Sequence, residues 1–253
     1  MESNQEESRE HVEHGFHKVI QGVDVDLSYT SLALPFIIGL VAILLTLVVF
    51  LRKKKSRNTV LILGLSDSGK TFIFSKFLGQ GSDWECYKSM TENKATVDDV
   101  NNKPTELVDF PGAERLRSLL FETWLGRNVG QIRRILFLID SDSFTKKARD
   151  IAEFLHDVLF AADQIPILIC CNKQDLDTAK SSKAIRTLLE KELGLVCQTR
   201  NRTLESTAET TVRSLSPEGE FSWSKFSGNV EFKDLSALDE DQLDGVHQWI
   251  ISP

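Results

Sequence analysis

An α/β domain built on a parallel sheet is the fold class that this sequence predicts, and three observations predict it. After residue 57, short apolar runs alternate with stretches of helical periodicity, the order that a parallel sheet covered on both faces requires. Three of the apolar runs are nearly continuous, as strands buried on both faces are. The first run leads straight into a glycine-rich turn, Gly64–Thr71, that opens a helix. The chain has 253 residues, 41% hydrophobic and 26% charged, enough for one core of ordinary size. This composition excludes a wholly disordered chain, a multi-span channel and a disulfide scaffold.

Residues 1–31 form a short acidic segment, with seven acids and two bases before residue 27. His11, His14 and His17 fall near one face if that segment is helical. No cysteine or carboxylate cluster completes a metal site there, so a solvated polar tail is the simpler reading. Residues 32–51, LALPFIIGLVAILLTLVVFL, carry no charge over twenty residues. As a helix they would span about 30 Å, the thickness of a bilayer's hydrocarbon core. Core helices are seldom apolar on every face. A cleaved signal peptide would start earlier, behind a basic region. One N-terminal transmembrane helix is therefore predicted. Residues 52–57 add Arg52, Lys53, Lys54, Lys55 and Arg57. The positive-inside rule keeps the C-terminal part of the chain in the cytosol and sends the N-terminus across. The same cluster suits anionic lipid headgroups.

Residues 58–253 are the predicted globular domain. Thr59–Gly64, Glu106–Phe110, Arg134–Asp140, Ile165–Cys171 and Val230–Asp234 read as strands. Helical periodicity falls near 70–79, 114–128, 145–162, 180–192 and 239–250. Residues 194–227 break the rhythm with a Ser- and Thr-rich stretch, which reads as a long and partly disordered insertion. It holds the sequon Asn201-Arg202-Thr203, which a cytosolic location leaves unmodified. Cys86, Cys170, Cys171 and Cys197 are too few for a disulfide framework, and two of them lie in an apolar run, which suits a reducing compartment. A formal net charge of -7 argues against nucleic acid as a direct partner.

Four short motifs carry the chemistry. Gly64-Leu65-Ser66-Asp67-Ser68-Gly69-Lys70-Thr71 fits GxxxxGK[ST] between a strand and a helix. Its glycines let successive backbone N–H groups face phosphates, and the helix N-terminus, continuing into Phe72, adds its positive end. Lys70 reaches the β and γ phosphates, and the Thr71 hydroxyl ligates Mg²⁺. Asp109-Phe110-Pro111-Gly112 ends a strand. Asp109 there holds the magnesium ion through water, and Gly112 offers a backbone N–H to a γ-phosphate. Asn172-Lys173-Gln174-Asp175 comes after a further apolar strand. Asp175 accepts from N1–H and the exocyclic amine of guanine, a pair that adenine lacks. Lys173 lies over the base, and Asn172 braces the loops. Ser236-Ala237, after the last strand, supports the base from its backbone.

These elements in this order resemble the Ras-like small GTPases, over about residues 58–253. The apolar run, the RKKK block, the DFPG element and the polar insertion narrow the likeness to the beta-subunit family of the signal recognition particle receptor, Arf-related GTPases of the endoplasmic reticulum membrane. The resemblance implies a mostly parallel six-stranded sheet and a P-loop NTPase fold. It implies GTP and Mg²⁺ as ligands and the receptor's alpha subunit, through its N-terminal domain, as partner. Ribosome and translocon become possible neighbours at the membrane. It also implies a threonine of the first switch region on the metal in the GTP state; Thr91 fits, with Ser89 as rival. The second switch region starts at Gly112 and runs through Glu114 and Arg115.

One position departs from most active relatives: Ala113 stands where a Gln or His orients the attacking water. A methyl group neither donates nor accepts a hydrogen bond, so slow intrinsic hydrolysis is expected. Three functions compete for this sequence. They are a GTP-ordered module that recruits a cytosolic partner to the membrane, a turnover enzyme whose output is hydrolysis, and a tether with permanent nucleotide. Ala113 weighs against the second, and the GTP-binding residues would look the same in the third.

Overall fold

The computed structural model of the protein describes residues 35, 38–44, 46, 57–79, 90–205, 215–216 and 220–252. The chain divides into two units, residues 1–54 and 55–253. In the first, residues 35, 38–44 and 46 are helical and exposed, Ile38, Leu40 and Ile43 among them. Most of the predicted span 32–51, the basic residues 52–55 and His11, His14 and His17 lie outside the described residues. Among the described residues no helix is long and apolar enough to cross a membrane.

Among its described residues the second unit carries six strands and five α-helices. Strands β1 (Thr59–Gly64), β2 (Asn93–Asp98), β3 (Pro104–Asp109), β4 (Ile132–Asp140), β5 (Ile167–Asn172) and β6 (Val230–Asp234) form one sheet. Helices α1 (Lys70–Phe77), α2 (Arg117–Glu122), α3 (Phe144–Ala161), α4 (Ser182–Glu205) and α5 (Glu240–Ile251) connect and cover it. The order across the sheet is β2-β3-β1-β4-β5-β6. All neighbours are parallel except β2 with β3. The mostly parallel six-stranded sheet is thus present.

The most apolar strands take the middle. In β1 every residue is buried, and its side chains divide by the period of two. Leu61 and Leu63 face a core shared with α3 and α4. Val60 and Ile62 face a second core shared with α1 and α5. Each fully buried Leu, Ile or Phe contributes about 1.5–3 kcal/mol, which is why the centre of the sheet is the rigid part of the molecule.

The sequence expectations differ from the structure in three places. The edge strand β2 is not among the five that the sequence predicts; it alternates half-buried and exposed residues and has too few apolar side chains to stand out. It joins β3 through a tight turn in which Asp99 accepts from the backbone N–H of Asn101 and Lys103. The expected helix over 114–128 is three pieces: a 3₁₀ turn (Glu114–Leu116), α2, and a π-helical turn (Thr123–Arg127). The expected insertion over 194–227 begins as helix, since α4 runs on to Glu205. Beyond it Phe221, Trp223 and Phe226 stack edge-on or tilted against one another, and Trp223 against Phe232 of β6. Asn201 of the sequon sits within α4 and donates from Nδ2 to the Ser216 carbonyl at 3.0 Å. Cys170, Cys171 and Cys197 are free and buried, and burial pushes the Cys170 thiol up to about 12.

Candidate nucleotide site

The C-terminal ends of β1, β3, β4 and β5 and the loop after β6 converge on one rim of the sheet, where open α/β folds build their sites. The loop after β1 turns through three left-handed residues, Gly64 (φ 143), Asp67 (φ 69) and Gly69 (φ 92). At Gly64 a Cβ would lie 2.2 Å from the Leu138 carbonyl oxygen, and at Gly69 one would lie 2.3 Å from the Asn172 amide. Glycine is required at both, by backbone angle and by space. The loop closes on itself. The Ser68 hydroxyl donates to the Leu65 carbonyl at 2.9 Å, and Lys70 Nζ donates to the same oxygen at 2.7 Å. The Lys70 ammonium therefore lies at the mouth of the loop's concave side. Phe72 comes next within α1 and packs beside the second core.

Thr71 and Asp109 come together across this rim. The Thr71 hydroxyl donates to Asp109 Oδ2 at 2.8 Å. With its proton directed at the carboxylate, the hydroxyl presents an oxygen of the kind that a hard cation takes. Asp109 is fully buried, and its Oδ1 has no hydrogen-bond partner. A buried bare carboxylate oxygen beside a threonine hydroxyl fits a hard divalent ion or its water. Among the described residues no three His, Cys, Asp or Glu side chains cluster to hold a metal.

The charges of the site match that fit. Burial pulls the Lys70 ammonium down to about 8, against the attraction of Asp109 and Asp67. Burial pushes the Asp109 carboxyl up, against the hydrogen bonds of Thr71 and Asn93 and the charge of Lys70. Burial disfavours the charge of both groups, and a ligand of opposite sign would relieve each.

Gly112 meets the phosphate loop directly. A Cβ there would lie 2.5 Å from Leu65 C and Ser66 N and 2.6 Å from the Gly64 carbonyl oxygen. Ala113 begins the 3₁₀ turn in an extended conformation.

On the base side, Asn172 joins two loops. Its Nδ2 donates to the Ser68 carbonyl at 2.9 Å, and its Oδ1 accepts from the Ala237 backbone N–H at 3.1 Å. Lys173, left-handed at φ 69, donates to Asp140 Oδ2 at 2.8 Å. Asp175 is exposed, and its Oδ1 accepts from the Ser236 hydroxyl at 2.8 Å. The Ser236 N–H in turn donates to Gln242 Oε1 of α5.

Sequence reasoning missed two residues here. Asp140, at the end of β4, accepts from Lys173 and from the N–H groups of Asp142 and Ser143. Burial pushes its carboxyl up, but the hydrogen bonds of Lys173 and Ser143 outweigh that and hold it below the usual carboxylate range. The Asp-Ser-Asp-Ser run after an apolar strand was a legible turn signal. The second is Asn93, which donates from Nδ2 to Asp109 Oδ2 at 3.0 Å. Thr91 lies exposed in the bend before β2, whereas Thr71 and Asn93 are the side chains that hydrogen-bond Asp109. Ser89 lies outside the described residues.

Comparison with known proteins places the chain in a family. A family model described as the signal recognition particle receptor beta subunit matches residues 55–230. The signal recognition particle receptor subunit beta of Mus musculus is 40% identical over 214 residues, 79% of this chain and 77% of that one. The solved structure of the mammalian SRP receptor shares 34% identity, with a TM-score of 0.64 over 76% of this chain and 99% of the other. The signal recognition particle receptor SRb-GTP/SRX complex from Chaetomium thermophilum is alike in fold alone. It is 19% identical, with a TM-score of 0.63 over 76% of this chain and 98% of that chain. The domain has a Ras-like GTPase fold. With a model match over most of its length and a relative 40% identical across most of both sequences, the chain belongs to the beta-subunit family of the signal recognition particle receptor.

Proposed function

We propose that this chain binds GTP with Mg²⁺ and, when GTP-bound, holds the receptor's alpha subunit at the endoplasmic reticulum membrane for co-translational protein targeting. The observation that carries the nucleotide reading is Asn172. One buried side chain ties the phosphate loop to the base loop, through Ser68 and Ala237, so the two halves of a nucleotide site are built as one.

The roles follow from the chemistry of each group. Gly64, Leu65, Ser66, Asp67, Ser68, Gly69 and Phe72 bring backbone N–H groups to the phosphates, and Lys70 meets their charge. Thr71 and Asp109 hold the magnesium ion, the latter through water, with Thr91 as the further switch ligand. The metal, when bound, neutralises phosphate charge. Asp175 selects guanine over adenine, Lys173 covers the base, and Ser236 and Ala237 frame it. Asp140 holds Lys173 in place. Ala113 leaves the attacking water without a side-chain partner, so GTP persists and hydrolysis is slow. Family membership supports the alpha subunit as partner, and the Chaetomium thermophilum complex pairs GTP-bound SRb with SRX. Residues 32–51 and the basic residues at 52–57 support a single-pass anchor with a lumenal N-terminus.

The test uses the whole chain in detergent, loaded with GTP, GDP or neither, and the alpha subunit's N-terminal domain as bait. Capture with GTP but not with GDP is the expected result. Equal capture in all three states would make the chain a tether. Loss of loaded GTP within seconds would make it a turnover enzyme.

A further inference from the structure

Asp109 has two oxygens, and which one faces the metal is decided by what the other one binds. Oδ2 accepts from Thr71 Oγ1 at 2.8 Å and from Asn93 Nδ2 at 3.0 Å, while buried Oδ1 has no partner. Carboxylate torsions are broad and roughly two-fold. One donor on one oxygen leaves the two-fold alternative open. A second donor from the facing strand closes off the alternative.

Asn93 is placed for that task by the sheet. It opens β2 and stands directly opposite Asp109 in the antiparallel β2–β3 pair. Its neighbour Glu92 is pinned from both sides. Trp124 Nε1 donates to Glu92 Oε2 at 2.7 Å, and Lys94 Nζ pairs with Glu92 Oε1 at 2.7 Å. The start of the strand is therefore held by more than its own ladder. The donor is also neutral. A lysine at this position would fix the carboxylate too, but would cancel the charge that a cation needs.

We infer that Asn93 is a positioning residue for the metal site: its amide locks Oδ2 of Asp109 so that Oδ1 is presented to Mg²⁺ or its water. The inference rests on the GTP–Mg²⁺ reading of the site. Partners of this kind, which orient a ligand without touching the metal, typically change metal affinity about 10–100-fold.

The experiment measures release of fluorescent GDP from the whole chain in detergent across a Mg²⁺ titration. Asn93→Ala and the shape-keeping Asn93→Leu should each raise the half-effective Mg²⁺ concentration about tenfold. Release in excess EDTA and the thermal midpoint should stay with the unaltered chain, which a merely structural role would not allow. Thr96→Ala, further along β2 and exposed, should leave the titration unchanged. A rise of less than about threefold in both Asn93 variants overturns the inference. So does an equal rise in Thr96→Ala, which would assign the effect to strand pairing. Release from the unaltered chain that ignores Mg²⁺ would instead overturn the reading of the site itself.

Discussion

A methyl group added at Gly112 meets only main chain, since Leu65 C, Ser66 N and the Gly64 carbonyl oxygen all lie within 2.6 Å of it. No side chain can swing aside. Gly112→Ala should therefore cost about 1–3 kcal/mol and, on the proposed reading, weaken nucleotide binding, because the loop that must move is the proposed phosphate loop. Gly130→Ala is the control, with nothing within 4 Å of its Cβ. Thermal melts and nucleotide titrations of the pair check this, and equal behaviour of the two would refute it. Ala113 makes the opposite point about side chains. Ala113→Gln restores an amide able to orient water, and single-turnover hydrolysis should rise about tenfold or more. An unchanged rate would mean that the site lacks more than that amide. At this scale the convergence of Gly64, Gly69, Lys70, Thr71, Asp109 and Asn172 on one rim was legible, because they sit in motifs of recognisable spacing after apolar strands. Asn93 was not, because its partner is fixed by strand register and no local pattern marks it.

Strands and helices were readable in proportion to how apolar they are. The central strands β1, β4 and β5 announce themselves, being almost wholly buried. The edge strand β2 buries only part of one face and takes its conformation from β3, so tertiary pairing outweighs local preference. The last helix shows how such an element is held at its end. Arg133 donates to the Ile250 carbonyl at 2.5 Å, and Arg134 to the Ser252 carbonyl at 3.0 Å and the Ser252 hydroxyl at 2.7 Å. Arg134 also bonds the Trp249 carbonyl and lies over the Trp249 ring. Cations at a helix C-terminus meet unsatisfied carbonyls and the negative end of the dipole. Arg134→Met keeps the stem and removes those donors. It should lower stability by about 1–3 kcal/mol, read as a fall in the urea midpoint at unchanged slope. An unchanged midpoint would mean that water replaces the guanidinium at no cost.

Over the whole molecule, the insertion was the segment least legible from sequence. Ser and Thr are frequent in its composition, but among its described residues the aromatics carry the packing: Phe221 is 6% exposed and joins the main core. The charge balance of the molecule gives a further prediction. Among the described residues, three carboxyls in different parts of the domain are held below their usual range. For Asp99, at the β2–β3 turn, backbone hydrogen bonds from Lys103 and Asn101 do so, with Arg133 adding to them. For Asp140, beside the base site, Lys173 and Ser143 overcome the effect of burial. For Asp157, between α3 and α4, burial pushes upward but His156 and Arg200 prevail. Each binds its proton more weakly folded than unfolded. Above about pH 5 both states are almost wholly ionised, and the stabilisation is fully present. As pH falls further, the unfolded chain takes up protons first, and stability is lost down through the folded pKa values. Asp109 works in the opposite sense, since its raised pKa makes the ionised form costly in the fold, but it is one group against three. The urea midpoint should therefore change little between about pH 8 and about pH 5 and fall steeply below about pH 4. Asp157→Asn should start lower at neutral pH, having lost its ion pair with Arg200, and lose less on acidification. A parallel fall in both proteins would show that the α3–α4 ion pair is not among the groups that set acid stability, and that the turn and the base loop carry it alone.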